Sequence, residues 1–171
     1  MTSFFKVKKK SKLSNARLGL INTAHGKINT PSFIFCGTKA TVKSVLPSQL
    51  KLAKTQIILS NTYHLMLQPG PQVISKEGGL QSFTDWNGPM MTDSGGYQIF
   101  SLGYGSVSEE IKGKNNNTKR KSLIKINEDG ASFRNYLNGD KVFLSPERSI
   151  ELQRDFGADL IFVLDECTPF N

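Results

Sequence analysis

The chain has 171 residues, 37% of them hydrophobic and 21% charged. That is enough apolar side chain for the core of one ordinary domain, or of a piece of a larger one, and it excludes global disorder. No apolar run approaches the roughly 18–20 residues of a membrane span, and Lys and Arg outnumber Asp and Glu 22 to 14, a formal net of +8.

The charge alone leaves nucleic acid, an anionic membrane surface, or no charged partner open. Two cysteines, Cys36 and Cys167, make neither a disulfide framework nor a zinc cluster, so no metal site is expected. The N-terminus is basic, with Lys6, Lys8, Lys9, Lys10, Lys12 and Arg17 and no acidic residue before Glu77. No apolar h-region follows, and the stretch is Lys-rich rather than Arg-rich, which fits neither a secretory signal nor a transit peptide. The expected location is cytoplasmic.

In chain order, residues 4–8, 16–21 and 27–28 read as short strands separated by turn residues. The run 31–36 is apolar and β-rich, and Gly37 ends it. Residues 47–54 have helical spacing, with Pro47 acceptable in the first turn. Residues 56–60 read as a buried strand followed by the polar Asn61, Thr62, Tyr63 and His64, and residues 88–92 as another followed by Asp93, Ser94, Gly95 and Gly96. Residues 146–156 read as a helix with Ser145 as N-cap, Glu147 in its first turn and Gly157 just past its end. Residues 158–164 form the most apolar run and are expected to be a buried strand ending at Asp165.

Alternating strands and helices predict an α/β fold with a parallel sheet, whose chemistry sits at the C-terminal ends of the strands. Residues 104–142 interrupt that alternation. Residues 112–121 are basic and low in complexity and predict a surface loop. Around them, 123–126, 131–136 and 142–144 predict a small antiparallel sheet, with turns at 128–130 and at Asn138-Gly139-Asp140.

Two carboxylates stand out at strand ends. Asp93 precedes Ser94, Gly95 and Gly96, a loop where backbone N–H groups can approach a ligand closely; the alternative is an N-cap or Asx-turn aspartate. Asp165 follows the apolar run, where a carboxylate can accept two parallel N–H bonds from a planar N–C–N edge; the alternative is a capped, salt-bridged Asp. Tyr97 and Tyr63 lie near these loops and are candidates for base stacking, with ordinary packing the better reading for Tyr63. His64 reads as structural, and His25 is assigned no role.

Three segments carry a resemblance. Asn61-Thr62-Tyr63-His64-Leu65, Thr92-Asp93-Ser94-Gly95-Gly96-Tyr97-Gln98 and Asp165-Glu166-Cys167-Thr168-Pro169 together resemble the tRNA-guanine transglycosylase (queuine tRNA-ribosyltransferase) family. Phe133-Arg134-Asn135, Leu144-Ser145-Pro146-Glu147 and Gly157-Ala158-Asp159 fit in the same order. The resemblance implies the N-terminal part of an irregular TIM (β/α)8 barrel with an N-terminal antiparallel sheet and an inserted small antiparallel sheet. Its parts would be the N-terminal sheet at 1–30, three βα units at 31–103, the inserted sheet and basic loop at 104–144, and a helix with the fourth strand at 145–171. It implies a pentosyltransferase that replaces guanine with a 7-deazaguanine at the tRNA wobble position. In that family a carboxylate displaces guanine at the sugar C1′, giving a covalent ribosyl-enzyme that the new base resolves. By motif match Asp93 is similar to the proton-acceptor aspartate. Asp93, Ser94, Gly95, Gly96 and Tyr97 match the base-binding loop with Tyr97 stacking, Asp165 matches the reader of the purine amidine edge, and Cys167 lines the same pocket.

The sequence also departs from the family. The nucleophilic aspartate and the Cys/Cys/Cys/His zinc site lie in the family's second half and have no counterpart here, so no cofactor is expected in this chain. The resemblance therefore implies the base-pocket half of an enzyme from a split, frameshifted or truncated gene, inactive alone. The implied partners are tRNA, a purine or 7-deazapurine base, and a separately encoded C-terminal half or a second copy, with no membrane. The alternative is a non-catalytic tRNA-binding subunit or a gene remnant.

Overall fold

A computed structural model describes residues 3–104 and 124–165. The first layer is an antiparallel sheet of β1 (Phe5–Lys10), β2 (Arg17–Thr23) and β3 (Gly26–Thr30), in the order β1-β2-β3. Thr23 pairs with Gly26, so Ala24 and His25 form a two-residue hairpin, and Gly26 takes φ +142° just after it. β1 is the edge strand, and its Lys6, Lys8, Lys9 and Lys10 are all exposed. An edge studded with lysine, and shifted in register between Val7 and Lys9, resists pairing with a further strand. From β3, Ile28 packs with Ile57 and Met91 in a small second core that ties this sheet to the next layer.

The second layer is the parallel sheet β4 (Phe35–Cys36), β5 (Ile58–Ser60) and β6 (Met90–Thr92), in the order β4-β5-β6. In β5 and β6 only Leu59 is less than buried, as expected for strands covered on both faces. Between β4 and β5 runs α1 (Pro47–Leu52). Between β5 and β6 run α2 (Thr62–Leu67), α3 (Pro71–Lys76) and α4 (Leu80–Thr84). Proline opens α1 and α3, where its missing N–H has no helical partner to lose. Ile74, Leu80 and Trp86 from this region join Leu50, Ile58 and Met90 in the main core.

After β6 come α5 (Gly96–Tyr104) and a third, antiparallel sheet of β7 (Ile124–Asn127), β8 (Gly130–Arg134) and β9 (Lys141–Leu144). α6 (Pro146–Asp155) follows, with the Ser145 hydroxyl accepting from the Arg148 N–H as N-cap and Gly157 at φ +73° past its end. Leu152 and Phe156 from this helix, and Phe133 and Leu144 from the third sheet, complete the main core.

The run 158–164 is not the buried strand that its composition predicts. Leu160 makes one parallel bridge to Met91, and the chain then leaves the sheet. Ile161, Phe162 and Val163 are exposed, Val163 by 74%. Instead of a strand partner, the Gln153 side chain of α6 holds this segment. It accepts from the Phe162 N–H at 2.9 Å and donates to the Phe162 carbonyl at 2.7 Å. Apolar composition marks a segment for burial, but nothing among the described residues covers its far side. The described residues thus show a mixed α/β fold with three small sheets, not a closed barrel. The predicted basic loop at 112–121 lies outside the described residues.

Candidate functional site

The C-terminal end of the parallel sheet is where polar side chains converge. Asp93 is the first residue past β6, and its backbone N–H donates to Ser60 at the end of β5. Its carboxylate turns toward the first turn of α2. The Thr62 backbone N–H donates to Oδ1 at 2.8 Å, and the Asn61 side-chain amide donates to Oδ2. Asn61 caps α2 at the same time, its Oδ1 accepting from the His64 N–H at 2.9 Å. The Gly95 N–H is a third donor to the Asp93 carboxylate. Asp93 is therefore not the N-cap of its own helix. It is a part-buried carboxylate oriented by a neighbouring loop.

Burial pushes the Asp93 carboxyl above its ordinary value of 3.8, and the nearby Asp165 charge adds to the rise, against the N–H donors of Thr62, Asn61 and Gly95. A carboxyl raised by its surroundings holds a proton more readily than a free one. The folded state then binds more protons than the unfolded state between pH 3.8 and the raised value. Stability from this group is full below pH 3.8 and is lost as pH rises through the folded value. Asp93→Asn removes that loss: its unfolding midpoint, followed by circular dichroism from pH 3.5 upward, declines less with pH than that of the wild type.

Ser94 links the two carboxylates. Its hydroxyl donates to Asp165 Oδ1, and its oxygen accepts from the Gly96 N–H at 3.0 Å. The Ser94 carbonyl is pinned by the Ser149 hydroxyl of α6 at 2.8 Å. Gly95 takes φ +84°, a left-handed conformation that costs a side-chain-bearing residue strain. At Gly96 a Cβ would collide with the Asp165 backbone oxygen, with the Asp165 carbonyl carbon and Oδ1 both at 3.0 Å. Glycine is thus what lets the segment ending at Asp165 lie against the start of α5.

Asp93, Ser94, Gly95, Gly96 and Asp165 are accordingly brought together. Tyr97 lies one residue into α5 and is 49% exposed, beside the cluster rather than inside it. Tyr63 is buried among Phe133, Leu144 and neighbouring core residues. Cys167 lies outside the described residues. Cys36 is exposed and unpaired. Among the described residues no group of three or more His, Cys, Asp or Glu is placed to hold a metal ion.

A family model described as Queuine tRNA-ribosyltransferase matches residues 11–171. The chain belongs to the queuine tRNA-ribosyltransferase family. A curated queuine tRNA-ribosyltransferase of Roseiflexus is 45% identical over 172 aligned positions, covering 100% of this chain and 43% of that protein. That of Protochlamydia amoebophila is 46% identical, covering 100% and 44%. Those of Staphylococcus aureus are 47% identical over 161 positions, covering 94% and 38%. The chain thus spans less than half the length of these curated queuine tRNA-ribosyltransferases.

Sequence reasoning missed two features of this family member. Asn61 and Thr62 were legible as polar residues at a strand end, but not as the donors that orient Asp93. The second is Asp159, whose side chain is fully buried. Its Oδ1 accepts from the His25 backbone N–H at 3.2 Å and lies 3.0 Å from His25 Nδ1, while Oδ2 accepts from Gln81 at 3.1 Å and from the Met90 N–H at 3.0 Å. His25, assigned no role from the sequence, therefore clamps the β2–β3 hairpin to the base of β6. The signal was an acidic residue opening an apolar run, a position where an unpaired charge is costly.

Proposed function

We propose that this chain carries the guanine-recognising part of a queuine tRNA-ribosyltransferase, an enzyme that exchanges guanine for a 7-deazaguanine at the wobble position of tRNA. The convergence of Asp93 and Asp165 on the Ser94–Gly96 turn carries this reading. Asp165 gives one lone pair to the Ser94 hydroxyl and keeps the remainder of its carboxylate for the N1–H and 2-amino groups of guanine. Asp93, its carboxyl raised by burial, takes the proton-acceptor role. The Gly95–Gly96 backbone lets the Asp165 segment lie close against the start of α5, and Tyr97 stacks on the base from that helix.

The nucleophile that would displace guanine at C1′ has no counterpart among these residues. We read the layers as the first part of an irregular (β/α)8 barrel, with the antiparallel sheet of 1–30 ahead of it and the sheet of 104–144 inserted. Leu160 extends the parallel sheet past β6 in the same direction, which supports that reading. So does the bare apolar stretch of Ile161, Phe162 and Val163, which a second half of the fold or a second copy would cover. The zinc set that the resemblance implies needs three Cys and one His. This sequence has two of each, so no step is routed through a metal.

A second reading, a tRNA-binding subunit without catalysis, is favoured by the four exposed lysines of β1. Ligand-observed NMR with guanine and with adenine tests the first reading. Guanine shows saturation transfer from the chain and adenine does not, because adenine offers no N1–H beside a 2-amino group. Equal transfer to both bases, or none to guanine, overturns it.

A further inference from the structure

A second cluster lies immediately beside the Asp93 site, built from two loops and a helix. Lys39 lies in the loop after β4, which is held down where the Thr38 carbonyl accepts from the Asn61 N–H at 3.1 Å. His64 is in α2, whose cap Asn61 also holds Asp93. Tyr136 sits in the β8–β9 connection. A tight turn fixes it there, with the Gly139 N–H donating to the Asn135 carbonyl at 2.8 Å and the Leu137 N–H to the Asn135 side chain at 2.9 Å.

The Tyr136 ring is held from several sides yet stays half open. It stacks on buried Tyr63 at 6.4 Å, meets the His64 ring edge-on at 6.1 Å, and its hydroxyl lies 3.3 Å from His64 Nδ1. Even so it is 51% exposed, and the Lys39 ammonium lies over the ring, 5.8 Å from its centre. Burial, then the Lys39 charge, lowers the His64 pKa, so the imidazole is neutral near pH 7 and can accept from the tyrosine hydroxyl. A half-exposed aromatic held from behind, with a lysine ammonium over its open face, suits a single-stranded nucleotide. The base stacks on the ring in place of the ammonium, and the ammonium moves to the phosphate.

We propose that Lys39, His64 and Tyr136 form a nucleotide subsite that takes an unpaired RNA residue adjoining the exchanged guanosine. Tyr136 stacks on its base, Lys39 pairs with its phosphate, and the His64 ring, packed edge-on, positions the tyrosine ring. The subsite rests on the proposed function only for the identity of the RNA.

The test is fluorescence anisotropy of the full chain with a labelled RNA hairpin carrying a guanine in a seven-nucleotide loop, titrated at several salt concentrations. Tyr136→Ala weakens binding by about 5- to 150-fold, the range of one base stack, and Tyr136→Phe stays close to wild type. Lys39→Gln lowers the salt slope by about 0.7, one phosphate contact to a single strand, whereas Lys27→Gln on β3 leaves it unchanged. Wild-type affinity in Tyr136→Ala together with a wild-type slope in Lys39→Gln overturns the subsite. So does binding of poly-glutamate as tight as that of RNA, or no RNA binding by the wild type. Guanine transfer by NMR on the same samples separates the two ideas. If guanine binding persists while these variants bind RNA normally, only the subsite falls. If guanine does not bind, the functional reading falls.

Discussion

Gly96→Ala weakens guanine binding tenfold or more while leaving the chain folded. The added methyl meets the backbone oxygen of Asp165, and backbone is the neighbour least able to yield. Two responses are open: the start of α5 shifts, or the segment ending at Asp165 lifts away. The second is easier. Beyond the Ser94 hydroxyl on Asp165 and the packing of Leu164 against the main core, that segment is held only by Gln153 on Phe162 among the described hydrogen bonds, and Ile161, Phe162 and Val163 are exposed. Asp165 then loses the Ser94 hydroxyl and its alignment with any base in the cluster. A charge-assisted hydrogen bond contributes about 1.5–3 kcal/mol, and each 1.4 kcal/mol is a factor of ten in affinity. The strain of an overfilled contact, about 1–3 kcal/mol when the surroundings are rigid, is mostly relieved by the movement. The melting temperature therefore falls by only a few degrees. Wild-type guanine binding in Gly96→Ala would show that Asp165 does not need its place against α5.

Asp159→Ala has the opposite signature, a large loss of stability. One fully buried carboxylate accepts from three parts of the chain, the His25 N–H in the β2–β3 hairpin, the Gln81 amide in α4 and the Met90 N–H at the start of β6, with the His25 ring beside it. Removing it leaves the Met90 N–H buried without its acceptor, takes from the Gln81 amide one of its two partners, and frees the hairpin from this clamp. Breaking a buried charged network from one side costs about 3–5 kcal/mol. For a chain of this size that lowers the melting temperature by about 6–20 °C. Asp159→Asn loses less, because its oxygen still accepts while its amide faces a donor. His25→Ala loses least, since His25 is partly exposed and leaves the carboxylate with Gln81 and Met90. Differential scanning calorimetry ranks the three. Asp159→Ala melting with the wild type would mean that the carboxylate's partners are satisfied without it.

Local chemistry made much of this fold legible in the sequence. Ser145 and Pro146 mark the start of α6, and Gly157 marks its end. Ile57 and Ile58 lie in a buried apolar stretch, and Gly130 closes the β7–β8 turn. Asp93 and Asp165 stood out because each follows an apolar run, and the structure puts both on one turn. What was not legible depends on distant residues. Residues 61–64 read as polar residues at a strand end, but 62–67 form α2, because Asn61 caps them while holding a carboxylate more than thirty residues away. Residues 158–164 read as a strand, yet a strand needs a partner on the sheet, and a glutamine side chain takes that place at Phe162. His25 was invisible because its partner Asp159 lies on the far side of the sequence.

The central claim is that Asp165 reads the N–C–N edge of guanine beside Asp93, and Asp165→Asn tests it most directly. The side chains are nearly the same size, but the amide presents a donor where the carboxylate accepts. Saturation transfer from the chain to guanine is predicted to fall at least tenfold in Asp165→Asn, with an unchanged melting temperature. Undiminished transfer to guanine in that variant would contradict the account.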